Sequence, residues 1–309
     1  SSLANVHGLD DKLEEIIDLF SIAASRWYYQ PYGRNCKGIS SLCTDGTPIE
    51  FSIGLSNQIS GLRYVVDNAD RYLDIYERIS STKYTIPTIL RTLEMSDLEK
   101  QIDYLFKLFF PRRTWFPDGL LYAVWTGVSH FRNDSVFKLY FNIRWKTVRE
   151  RSHCIDIIMR KYKLRQLPDL LKILSTYESQ ASSMCMEFEK SQIRSVKIYY
   201  PLYSISSSFI ENIFESVNLL QFRDDLLNFD SFVLGKKLLM KPTLLMIKFL
   251  PNQSDRLSIK FNFSSIYCAS SDKDMHEKIS NFIVNYGYDK EIYRMTLETL
   301  SDGKISSSS

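Results

Sequence analysis

Phe137-Lys138-Leu139-Tyr140-Phe141-Asn142-Ile143-Arg144 is the stretch on which the fold turns. Its odd positions are all apolar and its even positions all polar, the period of two that a half-buried strand requires. Phe137, Leu139, Phe141 and Ile143 need a cover, whereas Lys138, Tyr140, Asn142 and Arg144 share the opposite face. Val196-Lys197-Ile198-Tyr199 divides in the same way and puts Lys197 beside Tyr199. Further along, Lys260 and Asn262 oppose Ile259, Phe261 and Phe263. Upstream, Arg63 and Asp67 oppose Leu62, Tyr64 and Val66, and Glu50 and Ser52 oppose Ile49, Phe51 and Ile53.

Working outward from these strands, the chain repeats a unit of strand, turn, strand and two helices. The predicted strand pairs are 49–53 with 62–67, 120–128 with 136–143, 184–188 with 195–200, and 243–249 with 257–263. Turn chemistry separates or precedes them at Asp45-Gly46-Thr47-Pro48, Arg132-Asn133-Asp134 and Pro251-Asn252-Gln253-Ser254. Helical spacing covers 9–29, 69–110 with a break near Pro87, 147–181, 209–227, 272–286 and 289–300. A fifth strand pair could draw on 37–43 or on 231–234. A repeat of this length marks one supersecondary unit used several times. Turns this short exclude parallel crossovers and require antiparallel hairpins. Successive hairpins with helices on one face close into a barrel, which removes the exposed sheet edges. The expected class is therefore α+β: an antiparallel barrel of repeated α-β-β-α units inside a ring of helices. The reading is one domain over 1–309, with its core at about 10–300 and a flexible tail at 301–309.

Composition narrows the function. The chain has 309 residues, 44% hydrophobic and 24% charged, enough to bury a sizeable core. The 39 basic and 36 acidic side chains nearly balance, which argues against a nucleic-acid binder; Arg112-Arg113 near Trp115 reads as a solvated loop. Five scattered cysteines without a Cys-x-x-Cys pair suit a reducing cytoplasm. Asp10, Asp11, Glu14 and Glu15 exclude a signal peptide at the start, and no apolar run is long enough to span a membrane. His7, His130, His153 and His276 lie too far apart for metal spacing, and Asp224-Asp225 is not followed by a further Asp in magnesium-binding register. The eleven glycines form neither a phosphate loop nor a nucleophile elbow.

If the sheet closes, its polar face becomes a lumen lined by lysine, arginine and tyrosine. Such a lumen is electrostatically costly unless an anion enters it, and a diphosphate is the natural candidate. Lysine would meet it as a point charge and arginine as a fork. The competing reading is a sheet with one solvated face, in which the alternation carries no function.

These motifs resemble the ABBA aromatic prenyltransferases, whose α-β-β-α units surround an antiparallel barrel of up to ten strands with the reaction chamber inside. Asp45-Gly46-Thr47-Pro48-Ile49-Glu50-Phe51-Ser52 is similar to the family's first-strand motif, and Gly61-Leu62-Arg63-Tyr64-Val65-Val66-Asp67 to its second strand. Phe137-Lys138-Leu139-Tyr140-Phe141-Asn142 and Val196-Lys197-Ile198-Tyr199-Tyr200-Pro201 resemble its diphosphate-binding Lys-x-Tyr strands. The resemblance spans about 10–300. It implies transfer of a prenyl group, dimethylallyl or geranyl, from its diphosphate to an indole acceptor. Glu50 would bind the indole N–H and assist its deprotonation. Arg63, Lys138 and Lys197 would hold the diphosphate, with Lys248 and Lys260 as further candidates. Tyr140 and Tyr199 would shield the allyl cation. No metal ligand is implied: the cations make magnesium dispensable, although a magnesium ion could still neutralise the diphosphate.

The chain departs from the indole branch at Ser195, where an arginine is usual two residues before the lysine. Asn262 also replaces a tyrosine after Lys260, and Met246 precedes Lys248. Its length and the Glu50 motif are closest to the bacterial indole-alkaloid type, such as the cyanobacterial hapalindole-modifying enzymes. Two alternatives stay open: a prenyltransferase acting on a phenol, and a non-catalytic binding module with a filled barrel.

Overall fold

Alternation becomes a single curled sheet. The computed structural model describes residues 2–24, 40–43, 46–53, 61–68, 74–112, 114–118, 120, 122–164, 168–177, 179–203, 206–226, 228, 243–251, 257–263, 269–288 and 290–300. Among them run β1 (Ile49–Ile53), β2 (Leu62–Val66), β3 (Val124–His130), β4 (Ser135–Asn142), β5 (Ser183–Glu189), β6 (Gln192–Leu202), β7 (Thr243–Phe249) and β8 (Leu257–Phe263). Each strand pairs antiparallel with its neighbours in sequence, in the order β1 to β8. The fold class is thus the expected helix-covered antiparallel barrel sheet. No β8–β1 hydrogen-bonded pairing is present among the described residues, where the strands number eight. Ser41 to Cys43 form bends and Ser40 has no regular structure, and 37–39 and 231–234 lie outside the described residues. The tail at 301–309 lies outside them too.

The helices are α1 (Ser2–Val6), α2 (Leu13–Ala23), α3 (Ile75–Thr92), α4 (Glu99–Phe109), α5 (Val148–Lys161), α6 (Pro168–Thr176), α7 (Ser207–Ser216), α8 (Asp272–Asn285) and α9 (Lys290–Leu300). Their starts are written locally. Asp74 and Glu77 close a capping box at α3, and Thr147 and Glu150 close another at α5. Ser206 and Ser271 cap α7 and α8 through their hydroxyls. None of the helices, among the described residues, is long and apolar enough to cross a membrane.

Two expectations need correction. Helix α3 does not break at Pro87 but runs through it to Thr92, and the chain turns at Glu94, whose φ is 56°. Proline deprives the Lys83 carbonyl of its helical donor, and Lys83 lies on the exposed side of the helix, where the carbonyl is not sealed in the core. Strand β3 begins at Val124 rather than at 120, with Tyr122 before it accepting a side-chain hydrogen bond from Asn142. Helix α1 had no periodic signal, being too short to show one.

The apolar faces pack as the alternation dictates. Phe137, Leu139, Phe141, Met184, Met186, Phe188, Val196, Ile198, Leu245 and Ile247 are buried in one core with Ile89, Leu105, Phe109, Ile158 and Phe209 of the helices. Phe141 stacks on Phe109 at 4.3 Å and meets Phe106 edge-on at 5.6 Å. Burying one such ring stabilises by about 1.5–3 kcal/mol. With one face sealed by helices, the other is left to line the inside.

Candidate active site in the barrel lumen

Strand register decides what lines the lumen. Lys138 on β4 lies directly across from Gly127 on β3 and Glu187 on β5. Glu187 in turn faces Ser195 on β6, and Lys197 faces Lys248 on β7. Tyr140 faces Trp125 and Cys185, and Tyr199 faces Ser183 and Met246. Lys260 on β8 faces Met246. On the first hairpin, Glu50 faces Val65 and Arg63 faces Ser52. All eight side chains singled out in the sequence therefore point to one side of the sheet.

The curl of the sheet brings them together. Lys260 on β8 acts electrostatically on Glu50 of β1 and is itself acted on by Arg63 of β2 and Lys197 of β6. Arg63 likewise depresses Lys138. First and last described strands thus share one electrostatic neighbourhood across the lumen.

Its centre is a buried carboxylate. Glu187 Oε1 lies 2.5 Å from Lys197 Nζ and 3.3 Å from Lys138 Nζ. Its Oε2 lies 3.6 Å from Lys248 Nζ and accepts from the Ser195 hydroxyl at 2.5 Å. Burial pushes the Glu187 carboxyl up, but the ammonium groups of Lys197 and Lys138, with the Ser195 hydroxyl, outweigh it and hold it far below its usual range. Lys138 is pulled down to about 8 by burial, with Glu187 opposing. Burial also lowers Lys248 and Lys260. The expectation that the lumen's cations must await an external anion is corrected here: the chain supplies one itself. Three ammonium groups on one carboxylate still leave a cationic excess.

The remaining groups flank this centre. Arg63 lies over the Phe131 ring at 5.8 Å, and its buried Nε finds no acceptor among the described residues. The Tyr140 and Tyr199 rings lie 6.3 Å apart, tilted by 42°, and burial raises both phenols well above their ordinary value. They stay protonated and present neutral π-faces beside the cations. Glu50 keeps solvent contact, yet the surrounding wall strips part of its hydration and raises its carboxyl, with Lys260 and Lys138 opposing. Asp67, just beyond β2, is buried, and its carboxyl is raised to about 6 by burial against the pull of the Ser40 hydroxyl, Arg78 and Trp125.

Solved structures share this architecture. The 6-dimethylallyltryptophan synthase from Micromonospora olivasterospora, in complex with DMASPP and Trp, matches with a TM-score of 0.78 at 16% identity, over 96% of this chain and 84% of its own. The chain has the aromatic prenyltransferase barrel fold. A 5-dimethylallyltryptophan synthase from Streptomyces coelicolor matches at 0.75 and 14% identity, over 96% of this chain and 84% of its own. AnaPT from Neosartorya fischeri matches at 0.65 and 13%, over 96% and 81%. No family model and no curated protein sequence matches.

Within this barrel, sequence reasoning missed Glu187 and Cys185. The signal was available: β5 alternates, with Met184, Met186 and Phe188 outward and Cys185 and Glu187 inward, but the thiol reads as apolar and hid the period. Burial pushes the Cys185 thiol up to about 12, so it lines the wall as a small neutral group. Ser195, the departure from the indole pattern, stands in register with Glu187, where an arginine's bulk and charge would meet that carboxylate. No cluster of metal-ligating side chains occurs among the described residues, and Cys36 and Cys268 lie outside them.

Proposed function

We propose that this chain transfers a dimethylallyl group from its diphosphate to a carbon of an indole acceptor inside the barrel. The convergence of Arg63, Lys138, Lys197, Lys248 and Lys260 on one wall, with two neutral tyrosines beside them and Glu50 across from them, carries the reading. The M. olivasterospora neighbour, whose complex holds DMASPP and Trp, supports the same pairing of ligands in the same fold.

The arrangement performs the chemistry as follows. The donor's C–O bond breaks and its electron pair leaves with the diphosphate, whose growing charge the fixed cations stabilise. Arg63 Nε and the lysine donors take its oxygens. The allyl cation is held by the faces of Tyr140 and Tyr199, each worth about 2 kcal/mol or more when desolvated. An indole carbon attacks, the new C–C bond forms, and the proton on that carbon passes to the departed diphosphate as aromaticity returns. Glu50, as carboxylate, accepts the indole N–H hydrogen bond and keeps electron density on the ring. The five cationic side chains take the neutralising role that magnesium would otherwise fill, so turnover is proposed to proceed without it. The free thiols of Cys154 and Cys185 support a reducing cytoplasm as the compartment.

The test is product formation from dimethylallyl or geranyl diphosphate with tryptophan and larger indoles, with and without magnesium. Lys138→Ala is expected to lower turnover by about 100- to 1000-fold, the usual loss for one preorganised charge-stabilising donor. Failure of both diphosphates to bind the intact protein would sink the reading and return the binding module. Product on phenols alone would move the acceptor class.

A further inference from the structure

Glu187 is not needed by the chemistry above, yet it occupies the point on which the lysines converge. It sits where the strand pairing is irregular: Glu187 faces Ser195 while the next residue, Phe188, faces Ile193, so Arg194 is a bulge without an opposite partner. Bulges next to functional sites re-aim side chains. Lys197 and Lys248 lie directly opposite each other, an arrangement of like charges that is destabilising unless something lies between them. Glu187 bonds to both, and to Lys138 from the other side. The carboxylate therefore permits three ammonium groups to be gathered and kept charged before any ligand arrives.

The same contact has a second effect. Every lysine held by Glu187 is a lysine that a phosphate oxygen must share or win. Resting on the donor-site reading given above, we propose that Glu187 is the resident counter-ion of that site: a positioning residue that preassembles Lys138, Lys197 and Lys248 and competes with the diphosphate for them, so that the leaving diphosphate is held less tightly than the cations alone would hold it. Product release limits many enzymes, and a fixed negative charge beside the leaving group speeds it.

Inorganic pyrophosphate, the leaving group itself, is the probe. Its binding is measured by titration calorimetry to the intact protein, to Glu187→Gln and to Glu187→Ser, at two ionic strengths. Both variants remove the charge, and if one does not fold the other decides. The expected result is binding about tenfold tighter in the variants, with a steeper loss of affinity on adding salt, because an uncompensated cation cluster is screened more strongly. Positioning without competition predicts the reverse, since lysines freed of their anchor would splay. Binding within threefold of the intact protein, or weaker, overturns the role of Glu187 and leaves the donor site standing. Absence of pyrophosphate binding in all three proteins overturns the donor site and this role with it.

Discussion

Glu50 stands between two influences, a wall that raises its carboxyl and lysines that lower it, and the wall prevails. Its pH dependence follows. The competent form is the carboxylate, so kcat/KM is expected to fall as pH drops through a value above the ordinary 4.5. Glu50→Gln should abolish that acid limb and reduce turnover on indole by about 100- to 10,000-fold, the usual share of a general base. A pH–rate profile of both proteins checks it; an unchanged acid limb would assign the limb to another group, Asp67 being the neighbour whose carboxyl lies near 6. At this scale the sequence was legible wherever one strand carried several polar residues at period two. Lys138, Tyr140, Lys197 and Tyr199 announce their shared face. Glu187 did not, because the inward residues that precede it on the strand, Ser183 and Cys185, carry no charge. Nor does any local pattern say which cation meets which anion, since that depends on register across three strands.

Elements were the easier layer to read. Strands β7 and β8 fall on the residues that alternation marks, and the capping boxes Asp74-x-x-Glu77 and Thr147-x-x-Glu150 fix where helices begin. Pro87 misled because the cost of a proline inside a helix is local, whereas Ile86, Ile89 and Leu90 on either side of it anchor the helix in the core. The least legible feature of a strand is its one small residue. Gly127 on β3 lies across from Lys138, and a Cβ there would come within 2.9 Å of the Tyr64 carbonyl oxygen, 3.3 Å of Val65 Cγ2 and 3.5 Å of Tyr140 Cε2. The backbone oxygen cannot give way cheaply. Gly127→Ala is therefore expected to destabilise the protein by about 1–3 kcal/mol through overpacking, and to push the Tyr140 ring out of position. Guanidinium unfolding measures the first effect. The second should appear as a fall in kcat with the KM for the diphosphate little changed, because Tyr140 meets the allyl group rather than the phosphates.

For the molecule as a whole, the near-neutral charge of +3 conceals a strongly divided interior, cationic within the lumen and apolar outside it. The ring of helices is joined by contact between α1 and α9, where His7 Nε2 lies 3.3 Å from the Thr296 hydroxyl. Burial lowers His7 below its ordinary 6.5, so the folded state binds this proton less readily than the unfolded one. The stability it contributes is present above 6.5 and is lost as pH falls below that value. Native-state hydrogen exchange should show α9 opening on mild acidification while β4 stays protected, and His7→Gln should remove that pH dependence. Equal loss of protection in α9 and β4 would mean that the junction does not open on its own. No sequence pattern disclosed this junction, because its two halves are a five-residue helix and a segment almost three hundred residues away. Nearly every other long contact joins sequence neighbours in the sheet, so hairpins can form one after another as the chain is made. The exception waits. Of the described elements, α1 leaves the ribosome before the sheet and α9 after it, roughly 15–60 s apart at ordinary rates of synthesis, so the barrel wall assembles unit by unit while the α1–α9 junction stays open until α9 arrives.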